Sequence, residues 1–329
     1  MAAGIFLSFM RMENASPMDE KLQILKRIED IGNRDFDGVD VTKLLRGYLQ
    51  ATDPEIMLSA LQAASNYASD EGLFQDIFKM AHEYPDEEVR AMANSCLGAV
   101  IQEGLEFEET LPQGFPSGYA QVSRDFYLEV RDFLLEKVDA PMESMEVRRR
   151  ALEALGYLAF QPEVRAIVMR FYHQAPNPYV RVSALYAMGL VKDAVFERLI
   201  LEELYSTSEP ALLEAIHSAA CLELHAAEDR LLALTKSPST DVRYEAILAL
   251  GTVAPLSRLP EILKNAEAVE QNEEVREAIQ AAKVSLQQRS AIKQGEPIWD
   301  DNLILNEIED LLENREAGGG DDLPGKDGE

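Results

Sequence analysis

The chain is poor in the residues from which metal centres, disulfide frameworks and nucleophilic sites are built. Its 329 residues include two cysteines, four histidines and one tryptophan. Two cysteines cannot staple a scaffold. Cys96 and Cys221 fall in separate helical patterns, so both read as buried free thiols. The histidines are His82, His173, His217 and His225, and none stands in a metal-ligand spacing such as HExxH. GxGxxG, the phosphate-binding loop, GxSxG and CxxC are all missing. No stretch approaches the roughly 20 apolar residues of a membrane-spanning helix. Positive charge is scarce as well. The 31 lysines and arginines face 59 acids, for a net charge of −28. A phosphate backbone or an anionic lipid surface would repel such a chain, which argues against nucleic-acid and membrane partners. No cofactor, metal or catalytic residue is expected, and the chain reads as a non-enzyme.

What is present is a repeat. Apolar residues make up 47% of the chain, enough for a full core. Val89-Arg90 is followed by Ala93, Leu97 and Gly98. The same spacing returns at Val147-Arg148, Val180-Arg181 and Val242-Arg243, each followed by its own alanine, Leu or Met, and glycine. Weaker copies begin at Ile56, Ala211 and Val275-Arg276. The fifth residue of each copy falls at 60, 93, 151, 184, 215, 246 and 279, a step of 31 to 33 residues with one step of 58. Three residues before each copy stand Asp53, Asp86, Ser144, Asn177, Ser208, Ser239 and Asn272, all good helix N-caps. Pro54 and Pro178 follow directly, where proline costs nothing. Small or apolar residues at offsets 0, 4 and 8 give each helix a narrow face that a neighbour can approach closely. A second apolar run follows each copy, so the unit is a helical hairpin that must stack on others to bury both faces. The expected class is all-α: an α-solenoid of about seven to eight antiparallel hairpins over residues 18–290.

This pattern of N-cap, Val-Arg, Ala and Leu-Gly resembles HEAT repeats, in particular the short form of the phycobilin lyases, over roughly residues 53–290. The resemblance implies that Arg90, Arg148, Arg181, Arg243 and Arg276 form a ladder with acids of adjacent repeats. It also implies that the second helix of each hairpin lines the concave face. Some HEAT-like iron hydroxylases use several His-Glu pairs in successive repeats. Here His82-Glu83 is a single pair, so that pattern is lacking.

The segments outside the repeat carry the remaining candidates. Residues 1–17 read as a disordered leader whose short apolar run at 4–10 lacks the flanks of a secretory signal. Residues 102–123 form an insertion, with two prolines and two glycines at 111–119, that is either a partner-contacting loop bearing Phe115 and Tyr119 or a solvated or disordered one. Residues 291–315 form a linker with Trp299 and an acidic helix whose apolar face includes Ile304 and Ile308. That helix reads as a cap on the last repeat, or as a detachable motif that docks into a groove of this chain or of a partner. Residues 316–329 read as a disordered tail.

Arg165, Arg198 and Arg230 form a row on the second helices. They grip an acidic partner segment, or they pair locally with Glu163, Glu197 or Asp229. The expectation is a non-enzymatic, cytoplasmic scaffold or adaptor that binds another protein through its concave face or its insertion. A phycobilin-lyase-like accessory enzyme or chaperone is the alternative, and a DNA-binding HEAT-like protein is a third reading that the charge disfavours.

Overall fold

The computed structural model describes residues 17–33, 40–108 and 122–294. Phe115, Tyr119, Trp299, Ile304 and Ile308 lie outside them, as do the leader, the acidic helix at 302–313 and the tail. Among the described residues, all sixteen elements longer than a single 3₁₀ turn are α-helices. In chain order, α1 (Pro17–Gly32) is followed by α2 (Val41–Tyr48), and α3 (Pro54–Ala64) by α4 (Glu71–Glu83). Next, α5 (Glu87–Cys96), prolonged by the short α6 (Gly98–Glu103), is followed by α7 (Arg124–Asp139), and α8 (Met145–Leu155) by α9 (Pro162–His173). Then α10 (Pro178–Gly189) is followed by α11 (Ala194–Glu203), α12 (Glu209–Cys221) by α13 (Glu228–Leu234), and α14 (Thr240–Val253) by α15 (Leu259–Val269), and each second helix packs most closely on the first helix that follows it. Helix α16 (Glu273–Gln294) closes the described stack. The chain is an all-α solenoid of stacked hairpins, as the repeat predicts.

The caps explain where the first helices begin. Asp53, Asp86, Ser144, Asn177, Ser239 and Asn272 each accept a hydrogen bond from an N–H of the following first turn. Ser208 does not. The second residue of its helix is Pro210, which has no N–H to offer a cap. Each first helix then buries its alanine stripe. Ala60, Ala93, Ala151, Ala184, Ala215 and Ala246 are all fully buried.

The glycines of the motif serve close approach. A Cβ on Gly156 would lie 2.9 Å from Ala187 Cα on the next first helix. One on Gly189 would meet Ser218 Oγ at 2.6 Å and Ser218 Cβ at 2.9 Å. These backbones pack at a distance that only hydrogen permits.

This tight row decides the curvature. Each successive pair of first helices (α1, α3, α5, α8, α10, α12, α14, α16) packs directly. Second helices of neighbouring hairpins approach one another far less, the pair α2 and α4 aside. The closer row lies on the inside of a curved stack. The concave side is therefore built from the first helices, and the expectation that second helices line it is corrected. The reason is volume: alanine and glycine between first helices draw that side in.

The wider gaps between second helices are bridged by long side chains. Arg46 reaches Asp76 from α2 to α4 at 2.8 Å. Arg170 on α9 pairs with Asp139 at the end of α7. Arg258, just before α15, contacts Glu228 on α13 at 3.0 Å.

Among the described residues, no helix is long and apolar enough to cross a membrane. The described part of the insertion is its base. Glu108 there receives the Tyr127 hydroxyl at 2.5 Å, Arg131 Nη1 at 3.1 Å and Gln161 Nε2 at 2.7 Å. These contacts tie Glu108 to α7 and to the start of α9.

Candidate functional site

The ladder arginines hold the stack together, in two ways. Arg90 donates to the Tyr84 and Pro85 carbonyls at 2.9 and 3.0 Å, and to Glu143 at 3.0 Å. Arg243 donates to the Ser237 and Pro238 carbonyls and grips Glu270 with Nε at 2.9 Å. Arg181 binds Glu203 with Nε at 2.9 Å and lies 4.3 Å from the Tyr172 ring centroid. Each of these acids lies near the junction between one hairpin and the next. Burial opposes ionisation of Glu143 and Glu203, but Arg90 and Arg181 overcome it and hold both carboxyls below the usual range. Arg243 does the same for Glu270. Arg148 and Arg276 instead donate to backbone carbonyls, Val138 at 3.0 Å and Glu270 at 3.1 Å, and Arg148 also lies 5.8 Å from the Phe171 ring centroid.

The arginine row on the second helices is engaged within the chain. Arg165 pairs with Asp193, the N-cap of α11. Arg230 donates to the Leu204 carbonyl at 3.0 Å and stacks over the Tyr205 ring at 4.5 Å. Both tie α11 to a neighbouring second helix. Arg198 approaches Glu202 at 3.7 Å, with both side chains mostly exposed. None of the three meets Glu163, Glu197 or Asp229.

The open concave feature lies on the other row. A groove of about 740 Å³ crosses four consecutive first helices. Helix α10 supplies Tyr186; α12 supplies Pro210, Leu213, Glu214 and His217. Helix α14 supplies Asp241, Tyr244 and Glu245, and α16 supplies Glu274 and Glu277. The repeat register explains this set. Relative to the buried alanine position of each helix, the lining residues fall one, two or five places before it, or two after. Helical geometry turns those positions away from the packed stripe and toward the concave side. None of them stands out in the sequence as a binding residue, because they are the unpatterned places inside an otherwise regular repeat.

The groove is strongly acidic. It holds five carboxylates, no lysine or arginine, and one histidine. Asp241 and Glu274 also serve the first turns of their helices, where negative charge is favourable. Glu214, Glu245 and Glu277 have no such role. Partial burial pushes Glu214 up to about 7; Ser218 pulls the other way, and the nearby carboxylates of Glu153 and Glu245 add to the rise. Upstream the same concave face is balanced. On α8, Arg149 contacts Glu153 at 3.1 Å and pairs with Glu146, while Arg150 contacts Glu153 at 3.0 Å.

The two cysteines differ. Cys96 is buried, as expected, and burial pushes its thiol up to about 12. Cys221 is exposed, which corrects the sequence expectation, and its sulfur lies 3.4 Å from His217 Nε2. It is the last residue of α12, whose outer side faces the groove. Among the described residues, no three His, Cys, Asp or Glu side chains are grouped so as to hold a metal ion.

No family model matches the chain, and no curated protein matches it. It is similar to several solved structures. One is the complex of CpcE and CpcF of phycocyanin lyase from a Nostoc species, at 15% identity, covering 76% of this chain and 97% of that one, with a TM-score of 0.45. Another is human deoxyhypusine hydroxylase, at 16% identity, 83% and 99% coverage and a TM-score of 0.33. A third is a designed armadillo repeat protein in complex with a peptide, at 18% identity, 75% and 100% coverage and a TM-score of 0.30. These likenesses concern helical stacking and leave the chemistry of the groove to its own residues.

Proposed function

We propose that the protein is a non-enzymatic scaffold that binds another protein along the concave row of first helices. The observation that carries this reading is the groove itself. Ten side chains from four successive first helices line it, and of these Glu214, Glu245 and Glu277 carry, among the described residues, no ion pair that would tie the stack together. Their types suit recognition: carboxylates for polar contact, and tyrosine and leucine for apolar contact. The second-helix arginines, by contrast, bridge the chain's own elements. The acidic segment at 302–313 is not the occupant proposed for this groove, because like charges would face one another there.

A photo-crosslinking residue placed at Tyr244 in the full chain tests the proposal, with one at Val269 on the other row as the control. One protein is expected to crosslink from the groove and not from the outer position. That protein, purified, should bind wild type and lose roughly tenfold in affinity, about 1.4 kcal/mol, against Leu213→Glu. Identical crosslinked species from both positions would overturn the reading.

A further inference from the structure

We propose that the C-terminal half of this groove takes an extended, arginine- or lysine-rich segment of the partner protein, with one cation seated against each first helix. The inference rests on the docking reading above and gives its occupant a chemistry.

Three carboxylates mark the track. Glu214, Glu245 and Glu277 stand on α12, α14 and α16, at intervals of 31 and 32 residues that match the repeat. They occupy nearly the same register, so a chain crossing the helices meets them in turn. Asp241 and Glu274 form a second acidic level beside them. Among the described residues, none of the five has an ion-pair partner within the groove. The protein neutralises its carboxylates elsewhere: Glu143, Glu203 and Glu270 each carry an arginine. On α8 the arginines and glutamates of this same face neutralise one another. The uncompensated stretch therefore begins beyond α8, and charge complementarity calls for cations.

The spacing of the helices sets the spacing of the ligand. Close-packed helices lie about 9 Å apart. An extended chain advances about 3.3 Å per residue, so one cation per helix means one at every third position. Tyr186, Tyr244 and Leu213 offer surfaces for the aliphatic stems of those side chains, and the phenol rings add cation–π attraction. The protein's own tail does not supply such a segment, since residues 291–329 contain 12 acids and 3 bases.

The probe is a fluorescein-labelled peptide of about twelve residues, with arginine at every third position and serine or glycine between. Anisotropy is read on titration with the full chain in about 50 mM salt, where exposed charges are weakly screened. The comparison peptides carry the same arginines clustered at one end, or glutamate in place of arginine. The spaced arginine peptide is expected to bind best, and added salt should weaken it. The double variant Glu245→Gln, Glu277→Gln should cost roughly tenfold in affinity, while Glu261→Gln on the other row changes nothing. Both glutamates are solvent-accessible, and circular dichroism checks that the variants remain folded. Absence of binding, equal binding of the glutamate or clustered peptide, or indifference to the double variant would overturn the proposal. If the crosslinked partner binds at Tyr244 yet ignores the double variant, the docking reading stands and the basic segment falls. If nothing crosslinks, the docking reading falls on its own account.

Discussion

Replacing Glu214 by glutamine should stabilise the protein at neutral pH and flatten its pH dependence. Glu214 is partly buried on α12, facing the carboxylates of Glu153 on α8 and Glu245 on α14. Its carboxyl is raised from 4.5 to about 7, so the folded state holds a proton that the unfolded chain releases earlier. Between these two values the folded state binds more protons than the unfolded one. Stability therefore falls as pH rises from about 4.5 to about 7, and this contribution is level above that. At about 1.4 kcal/mol per pH unit, the full penalty is about 3.5 kcal/mol. Partial exposure lets water screen the repulsion, which brings the expected effect to roughly 2 kcal/mol. Glutamine keeps the shape and an acceptor for the Ser218 hydroxyl, at 3.4 Å from the native carboxylate, while removing the charge. The assay is urea unfolding followed by circular dichroism at intervals from about pH 5 to pH 8. The variant should match wild type near pH 5 and exceed it by roughly 2 kcal/mol near pH 8. Equal midpoints for the two proteins at both ends of that range would refute the reasoning.

Other expectations concern the stack. Gly156→Ala drives a methyl group into Ala187 and Leu190 Cδ1, at 2.9 and 2.8 Å, and should cost about 2 kcal/mol in the same unfolding assay. Glu203→Ala strips Arg181 and the Tyr172 hydroxyl of a shared buried acceptor and should cost about 2 kcal/mol, with strong coupling to Arg181→Met in a double-mutant cycle. Glu223 has a φ of 54° in the turn after α12, so Glu223→Gly should stabilise by about 0.5–1 kcal/mol. A thiol reagent should titrate one cysteine, Cys221, in the folded protein, and Cys96 only after unfolding.

The stack was legible because its determinants are local and periodic. An N-cap, a Val-Arg pair, an alanine and a glycine recur at fixed intervals, and each has one physical use that survives in any context. The caps failed only at Ser208, where a neighbouring proline removed an N–H the cap could have reached. The curvature was harder to read. It depends on which of two helix rows packs more tightly, and that follows from comparing volumes across repeats rather than within one.

The site was hidden by the same logic, in reverse. Arg165, Arg198 and Arg230 stand out in sequence because they recur, and recurrence marks what every repeat needs. The structure uses two of them to span the loose row of second helices. Residues that recognise a partner need recur only along the stretch the partner would cover, and not through the whole stack. Glu214, Glu245 and Glu277 share a register across three helices, yet the corresponding places are Arg150 or Arg149 on α8 and Ser183 or Val182 on α10. Their common sign is invisible until the alanine stripe has been assigned and the outward positions are compared with one another. In a stacked-hairpin protein the regular positions predict the fold, and the departures at outward positions are where a partner's chemistry is written. Here those departures turn acidic from α12 onward, so the same negative charge that argues against nucleic-acid and anionic-membrane partners is what the proposed basic segment would meet.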